Sequence, residues 1–320
     1  MAIVRREAVA FASVESDVHG NTIARVGGQP GGRTLALYAH ADEIGMIVTH
    51  VHEDGLASVA KIANWDAAGA VGRRVEVRGR GGRVPGVVVR VAGGEGDPAW
   101  KDLRLDVGAA DGEAALALIE PGDPLVLQGE PVELHGGRVM SKSLDNRVGV
   151  YVALEAARRL AAKRSAWDVA LVVTALEEGA LRGGAAVAAR AAKADAAIVF
   201  EVTYAADVAG GDPGEWGNTR LGAGPTIFRG PTIHPAVSAG LRAAASEAGI
   251  AYTLEAGGDT WSDSEAVQGA LAGVPVGLVS VPLRYMHTPH EIVQLSDADA
   301  ASRLAEAYVR SLPLDVSFLR

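Results

Sequence analysis

The chain of 320 residues has no cysteine. That absence excludes disulfides, thiolate zinc sites, iron–sulfur clusters and cysteine nucleophiles together. Any metal must be held by His, Asp or Glu. No uninterrupted apolar run reaches about 18 residues, so the sequence predicts no membrane-spanning helix and no membrane partner. Arg5 and Arg6 stand near the start, but Glu7 sets a charge directly after them. The apolar stretch 8–14 is short and lacks a clear cleavage site, which predicts a cytoplasmic protein without a signal peptide. Basic residues are outnumbered, 30 Lys and Arg against 39 Asp and Glu, for a net charge of −9. A surface with that balance is not built for phosphate backbones, and nucleic acid drops out as a partner. Also missing are a Walker loop, a G-x-G-x-x-G after a strand and a G-x-S-x-G elbow. Nucleotide binding and serine-hydrolase chemistry thereby lose their usual signatures.

The composition that is present is ordinary and globular, 48% apolar and 22% charged. At roughly 150 residues per domain the length suggests about two domains. Short apolar runs at 35–39, 45–51, 169–174, 196–202 and 276–281 read as strands, several apolar on both faces. Helical patterns at 147–162, 181–193 and 235–248 lie between them. The alternation predicts an α/β fold, a mostly parallel mixed sheet with helices on both faces. From about 64 to 138 the character changes to Gly-, Val- and Arg-rich short strands, with a hairpin across 74–78 and 84–91. Strand, helix and strand succeed it at 103–107, 112–119 and 124–127. We therefore expect a discontinuous α/β domain, 1–63 and 139–320, carrying a small β-rich insert at 64–138. Gly-rich loops are expected at 93–97 and 210–217.

The unusual polar residues fall at strand ends. His40 closes the first predicted strand and Asp42 stands two residues on. Glu177 and Glu178 come after the strand ending near Thr174, Glu201 interrupts the apolar run 196–202, and His287 comes after the strand ending near Val281. Asp145 precedes a helix. In open α/β sheets ligands bind at the carboxyl ends of strands. Each residue alone has a plain explanation: an Asp before a helix is usually an N-cap, and a Glu pair is usually a solvated face. An unpaired charge inside an apolar strand is costly, however, and one metal site accounts for all five segments. Imidazole and carboxylate without sulfur suit zinc, cobalt or manganese. Two ions roughly 3.5–4 Å apart would use two His and three acids. One of Glu177 and Glu178 then falls outside the ligand set, positioned as a general base.

The segments Ala39-His40-Ala41-Asp42-Glu43-Ile44-Gly45, Leu144-Asp145-Asn146-Arg147, Glu177-Glu178-Gly179-Ala180-Leu181-Arg182-Gly183, Glu201-Val202-Thr203 and Arg284-Tyr285-Met286-His287-Thr288-Pro289 carry a resemblance. So do Gly224-Pro225, Arg229-Gly230-Pro231 and Gly257-Gly258. In order and spacing the chain resembles the glutamyl (tetrahedral, TET-type) aminopeptidases, cytosolic di-metal exopeptidases with a phosphorylase/hydrolase-like α/β fold. The resemblance implies His40 and Glu201 on the first metal, Glu178 and His287 on the second, and Asp145 bridging both. It implies Asp42 as the acid that orients an imidazole and Glu177 as the general base and acid. It further implies short peptide substrates, a water activated by two divalent ions, and a homo-oligomer, dimer or larger, supported by the small insert. Gly258 and Asp263 are candidates for binding the substrate; Asp259 and Asp263 could reach the substrate's amino group, or simply make an Asx turn. Two positions depart from the pattern: Asn146 stands where the family commonly has Asp, and Glu201 where many members have Asp. The family's helical segment ahead of the first strands is expected to be absent here.

Other signals are set aside. His287-Thr288-Pro289-His290-Glu291 is not a helical zinc motif, because Pro289 disfavours a helix at that spacing. His50 and His52 share a strand face, and the arginines at 73, 74, 78, 80 and 83 read as a solvated or interface face. The competing functions are a deacylase of small amino-acid derivatives on the same scaffold and a non-catalytic homologue.

Overall fold

The computed structural model describes residues 1–29, 32–93, 95–179 and 183–319. Its strands are β1 Ser13–Ser16, β2 Thr22–Val26, β3 Thr34–His40, β4 Gly45–Val51, β5 Ala57–Ile62, β6 Arg74–Gly79, β7 Gly82–Arg90, β8 Leu103–Asp106 and β9 Pro124–Leu127. They continue with β10 Val132–Leu134, β11 Arg138–Ser141, β12 Asp168–Thr174, β13 Ala196–Tyr204, β14 Thr226–Arg229, β15 Thr253–Ala256, β16 Val276–Arg284 and β17 Glu291–Gln294. The helices are α1 Ala2–Ala8, α2 Gly112–Leu116, α3 Leu144–Ala162, α4 Gly183–Ala192, α5 Pro213–Trp216, α6 Pro235–Glu247, α7 Asp263–Gln268 and α8 Leu295–Ser311. None of the described helices is long and apolar enough to cross a membrane.

Eleven strands form one mixed sheet in the order β1-β2-β12-β3-β13-β16-β17-β11-β10, with β14 on β16 and β15 on β14. The centre is parallel, as the doubly apolar strands predict: β12 to β3, β3 to β13 and β13 to β16. Both flanks are antiparallel. Short connections account for the flanks: β10 returns as β11 through Gly136 and Gly137, both with positive φ (78° and 73°), and a turn this short can only join antiparallel strands.

Alternation along the central strands divides the core. Leu35 and Leu37 of β3 face one side, with Leu160, Leu241, Leu304 and Tyr308 from α3, α6 and α8. Ala36 and Tyr38 face the other, with Ala185 and Ala188 of α4 and Val267 of α7. Helices thus cover both faces. α1 packs Val4 and Ala8, one helical turn apart, into the first of these cores. That corrects the expectation that no helix precedes the first strands. Residues 181–182 of the expected helix 181–193, Gly94 of the expected loop 93–97, and Ala180, Leu181 and Arg182 of the Glu177 motif lie outside the described residues.

A second, closed barrel has the order β4-β5-β8-β7-β6-β9, filled by Met46, Val75, Leu103, Leu105 and Leu125. It differs in extent from the expected 64–138 insert. β4 and β5 already belong to the barrel, whereas β10 and β11 belong to the large sheet. Met46 and Val48 bury one face of β4, a pattern that fits either sheet equally. Its pairing with β5 and β9 is what directs β4 outward.

Candidate metal centre

Because β3, β12, β13 and β16 run parallel, their carboxyl ends share one edge of the sheet. His40 is the last residue of β3 and pairs in register with Thr174, the last of β12. Glu177 and Glu178 therefore come within a few residues of that edge. Glu201 pairs in register with Ser280 on β16, and β16 delivers the loop that carries His287. Asp145 enters at the start of α3, where Asp145 and Asn146 are still non-helical (φ −76°, ψ 107° and φ −119°, ψ 40°).

The side chains meet. His40 Nε2 lies 3.2 Å from Asp145 Oδ1, 3.5 Å from Glu201 Oε1 and 3.9 Å from Glu177 Oε2. Asp145 Oδ2 lies 3.3 Å from His287 Nε2, and Glu178 Oε1 lies 3.6 Å from the same nitrogen. Asp145 thus faces one imidazole with each of its oxygens. Donor atoms of His40, Asp145 and Glu178 all lie within 4.8 Å of one another. The cluster lines one side of a cavity of about 550 Å³.

The local backbone is arranged for this convergence. Asp42 lies 3.5 Å from His40 Nδ1, and its two oxygens accept the backbone N–H groups of Glu177 (3.3 Å) and Glu178 (3.0 Å). One carboxylate therefore faces an imidazole and fixes the turn bearing the glutamates. His287 Nδ1–H donates to the Asn64 carbonyl at 2.7 Å, which turns Nε2 toward the cluster. Ser143, Leu176, Tyr285 and His287, all beside the site, have φ between 58° and 68°. Left-handed backbone costs on the order of 1–3 kcal/mol at such residues, so the surrounding bonds must hold it.

Electrostatics explain why these groups want cations. Burial pushes the Glu178 carboxyl up to about 9, reinforced by the charge of Asp145. Burial likewise pushes Glu201 up to about 8, against the opposing pull of His40. Burial works against a charged His287, but the hydrogen bond to Asp145 and the charges of Asp145 and Glu178 raise it to about 9. For His40 burial is again opposed, by the Glu201 charge first, and the imidazole ends well above its ordinary value. Asp145 is held well below the usual carboxylate range despite burial, by hydrogen bonds from His287 and His40. A group of carboxylates this dense cannot all ionise without positive charge among them. Among the described residues, Glu178 Oε1 and Glu201 Oε2 are buried without a hydrogen-bond partner. Orphaned buried oxygens beside two imidazoles suit hard or borderline divalent ions.

Asn146 explains its own departure from the family pattern. It is fully buried, its amide donates to the Phe200 carbonyl at 2.8 Å, and its oxygen accepts from Gly149 N–H at 3.0 Å. An ionised Asp would set an oxygen against the Phe200 carbonyl, so the amide is the better-matched group here.

The structure brings together His40, Asp42, Asp145, Glu177, Glu178, Glu201 and His287. It does not bring Asp263 or Gly258 to the cavity wall. Asp263 is buried under the site, bonded to the Thr174 hydroxyl, its carboxyl raised by burial to about 7. Gly258 is exposed; the neighbouring wall residues are Asp259, Thr260 and Trp261. His290 pairs with Arg73 at 3.2 Å on the surface, and His50 and His52 meet edge to face in the barrel with ring centroids 4.7 Å apart. Glu291 has no role legible from sequence, yet it is 1% exposed and accepts the N–H groups of both Asp145 and His287, each at 3.0 Å. Its only sequence signal is a carboxylate opening an apolar strand.

The family described as M42 glutamyl aminopeptidase matches residues 20–304. A protein of Acetivibrio thermocellus named as a putative aminopeptidase is 34% identical over 91% of this chain and 86% of its own length. An aminopeptidase structure from the archaeon Desulfurococcus kamchatkensis superposes with a TM-score of 0.90 at 34% identity, covering 97% of this chain and 89% of that one. The Pyrococcus horikoshii TET1 peptidase, which can assemble into a tetrahedron or a large octahedral shell, superposes with a TM-score of 0.86 at 27% identity, covering 97% and 93%.

Proposed function

The chain belongs to the M42 glutamyl aminopeptidase family, and from that premise we propose that its cavity is the active site of a metal-dependent aminopeptidase, a hydrolase that removes N-terminal residues from short peptides. The observation that carries this reading is the convergence of two imidazoles and four carboxylates, from five separate segments, at one wall of the cavity, with His40 and His287 on either side of Asp145. His40 and Glu201 would hold one divalent ion, Glu178 and His287 a second, with Asp145 between them. Zinc, cobalt and manganese all suit the donor set. When bound, such ions polarise a carbonyl and lower the pKa of water.

The chain's own groups do the rest. Asp42 holds His40 and the Glu177–Glu178 backbone in place. Glu177, whose Oε2 lies 3.9 Å from His40 Nε2, is within reach of a nucleophilic water. It takes the proton as that water attacks the scissile carbonyl and returns it to the leaving amine. The barrel β4–β9 is the unit inserted into the α/β domain, and we assign it the contacts of a homo-oligomer; the similar TET1 peptidase can assemble into a tetrahedron or a large octahedral shell.

The test separates base from ligand. Glu177→Gln should retain close to two ions per chain by elemental analysis while kcat on aminoacyl anilides falls by about a hundredfold or more. Full activity in that variant would refute the assigned base. Hydrolysis of N-acyl amino acids but not of aminoacyl anilides would mark a deacylase, and metal binding without either activity a non-catalytic homologue.

A further inference from the structure

The cavity continues past the metal-ligand cluster, and its far wall is chemically distinct. Thr203 lies two residues after Glu201 on β13, so both side chains leave the strand on one face, roughly 6.5 Å apart along it. The Thr203 hydroxyl donates to Glu255 Oε2 at 2.6 Å. Glu255 comes from β15, in register with Phe228 of β14. Phe228, Glu255, Leu278, Met286 and Trp261 all line the cavity. Trp261 does so from the rim, 77% exposed.

Glu255 has no part in the ligand cluster. Burial raises its carboxyl and the Thr203 hydroxyl opposes that; no charged group among the described residues contributes. Among the described residues lining the cavity there is no lysine or arginine, while Glu255 and Asp259 add two acids to those of the cluster. An acidic first side chain would set carboxylate against carboxylate here. A wholly aliphatic one would cover Glu255 without compensating it. A side chain with an apolar stem and a cationic tip satisfies both the Phe228–Leu278–Met286 wall and the carboxylate.

We propose that Glu255 sets the substrate class, selecting peptides whose first residue is lysine or arginine by pairing the side-chain cation while the scissile bond lies at the His40–His287 cluster. The proposal rests on the aminopeptidase reading. Thr203 orients the carboxylate, and Glu255 touches the substrate side chain and none of the reacting atoms.

The experiment compares kcat/KM on lysyl, arginyl, leucyl and glutamyl anilides with divalent ions supplied, for the native chain and for Glu255→Gln, with thermal melting to check folding. Lysyl and arginyl substrates should exceed leucyl by about tenfold or more, with glutamyl slowest. Glu255→Gln should lower the lysyl-to-leucyl ratio by about tenfold, mostly through KM. Free lysine should inhibit the native enzyme more strongly than free glutamate, a measurement that needs no variant to fold. Leucyl or glutamyl preference in the native enzyme, an unmoved ratio in Glu255→Gln, or stronger inhibition by glutamate overturns the assignment while leaving an aminopeptidase in place. No hydrolysis of any of the four overturns both readings.

Discussion

Glu291 joins the two halves of the cluster. Its oxygens accept from the backbone of Asp145 and of His287, residues 142 positions apart in the chain, so the two residues share one anchor. Burial pushes the carboxyl up to about 8, while those two N–H bonds favour its ionised form. In Glu291→Gln one side-chain oxygen becomes an NH₂ group that cannot accept either bond, leaving a buried N–H without its partner. Groups that orient metal ligands from behind typically contribute ten- to hundredfold to affinity. We expect Glu291→Gln to lower divalent-ion affinity by about that factor, read by competition with a fluorescent chelator, with a smaller change in kcat at saturating metal. Unchanged affinity would show that the backbone at Asp145 and His287 holds itself.

Among elements, the contact between α4 and the turn after β12 controls the glutamates. A Cβ on Gly184 would come within 1.7 Å of the Ala175 carbonyl oxygen and 3.0 Å of Asn21 Oδ1, and Ala175 stands two residues before Glu177. That oxygen belongs to the backbone and cannot swing aside. Gly184→Ala should therefore push the turn away from Asp42, costing about 1–3 kcal/mol in stability and reducing metal affinity. Denaturant melts and metal titration on one preparation check it; native values for both would mean that α4 slides instead. Much of this architecture is legible in the sequence. Doubly apolar runs identify the central parallel strands, and a charge inside one of them, Glu201, marks the sheet edge that matters. His40, Asp145 and His287 draw their meaning from the family resemblance, since each alone has an ordinary explanation. The partnership of β4 and β5 with the barrel is not legible, because a half-buried strand shows the same alternation in either sheet. Glu255 and Glu291 escape for a related reason. Their partners, Thr203 and the backbone of Asp145 and His287, come from distant segments, and no local spacing encodes such a contact.

For the whole molecule, the buried cluster couples stability to pH and to metal. In the metal-free fold Glu178 keeps its proton to about pH 9, Glu201 to about 8 and His287 to about 9. In the unfolded chain the glutamates release theirs near the ordinary value of 4.5 and the histidine near 6.5. Between pH 4.5 and 9 the folded state therefore binds more protons than the unfolded one, and metal-free stability must fall as pH rises through that window. Asp145 acts oppositely: its carboxyl is depressed in the fold, so its contribution is present above the unfolded value of 3.8 and is lost in acid. Divalent ions need the same groups deprotonated. Raising the pH thus removes the protons that hold the metal-free cluster together and frees the ligands for metal. The increase in Tm on adding zinc, cobalt or manganese to chelator-treated protein should accordingly grow from about pH 5.5 to about pH 8.5, at fixed free metal. Differential scanning calorimetry across that range tests both the falling metal-free stability and the growing metal effect. A metal-free Tm that climbs toward the alkaline end would contradict the raised carboxyls. A metal-induced increase independent of pH would mean that the ions bind elsewhere than on Glu178, Glu201 and His287.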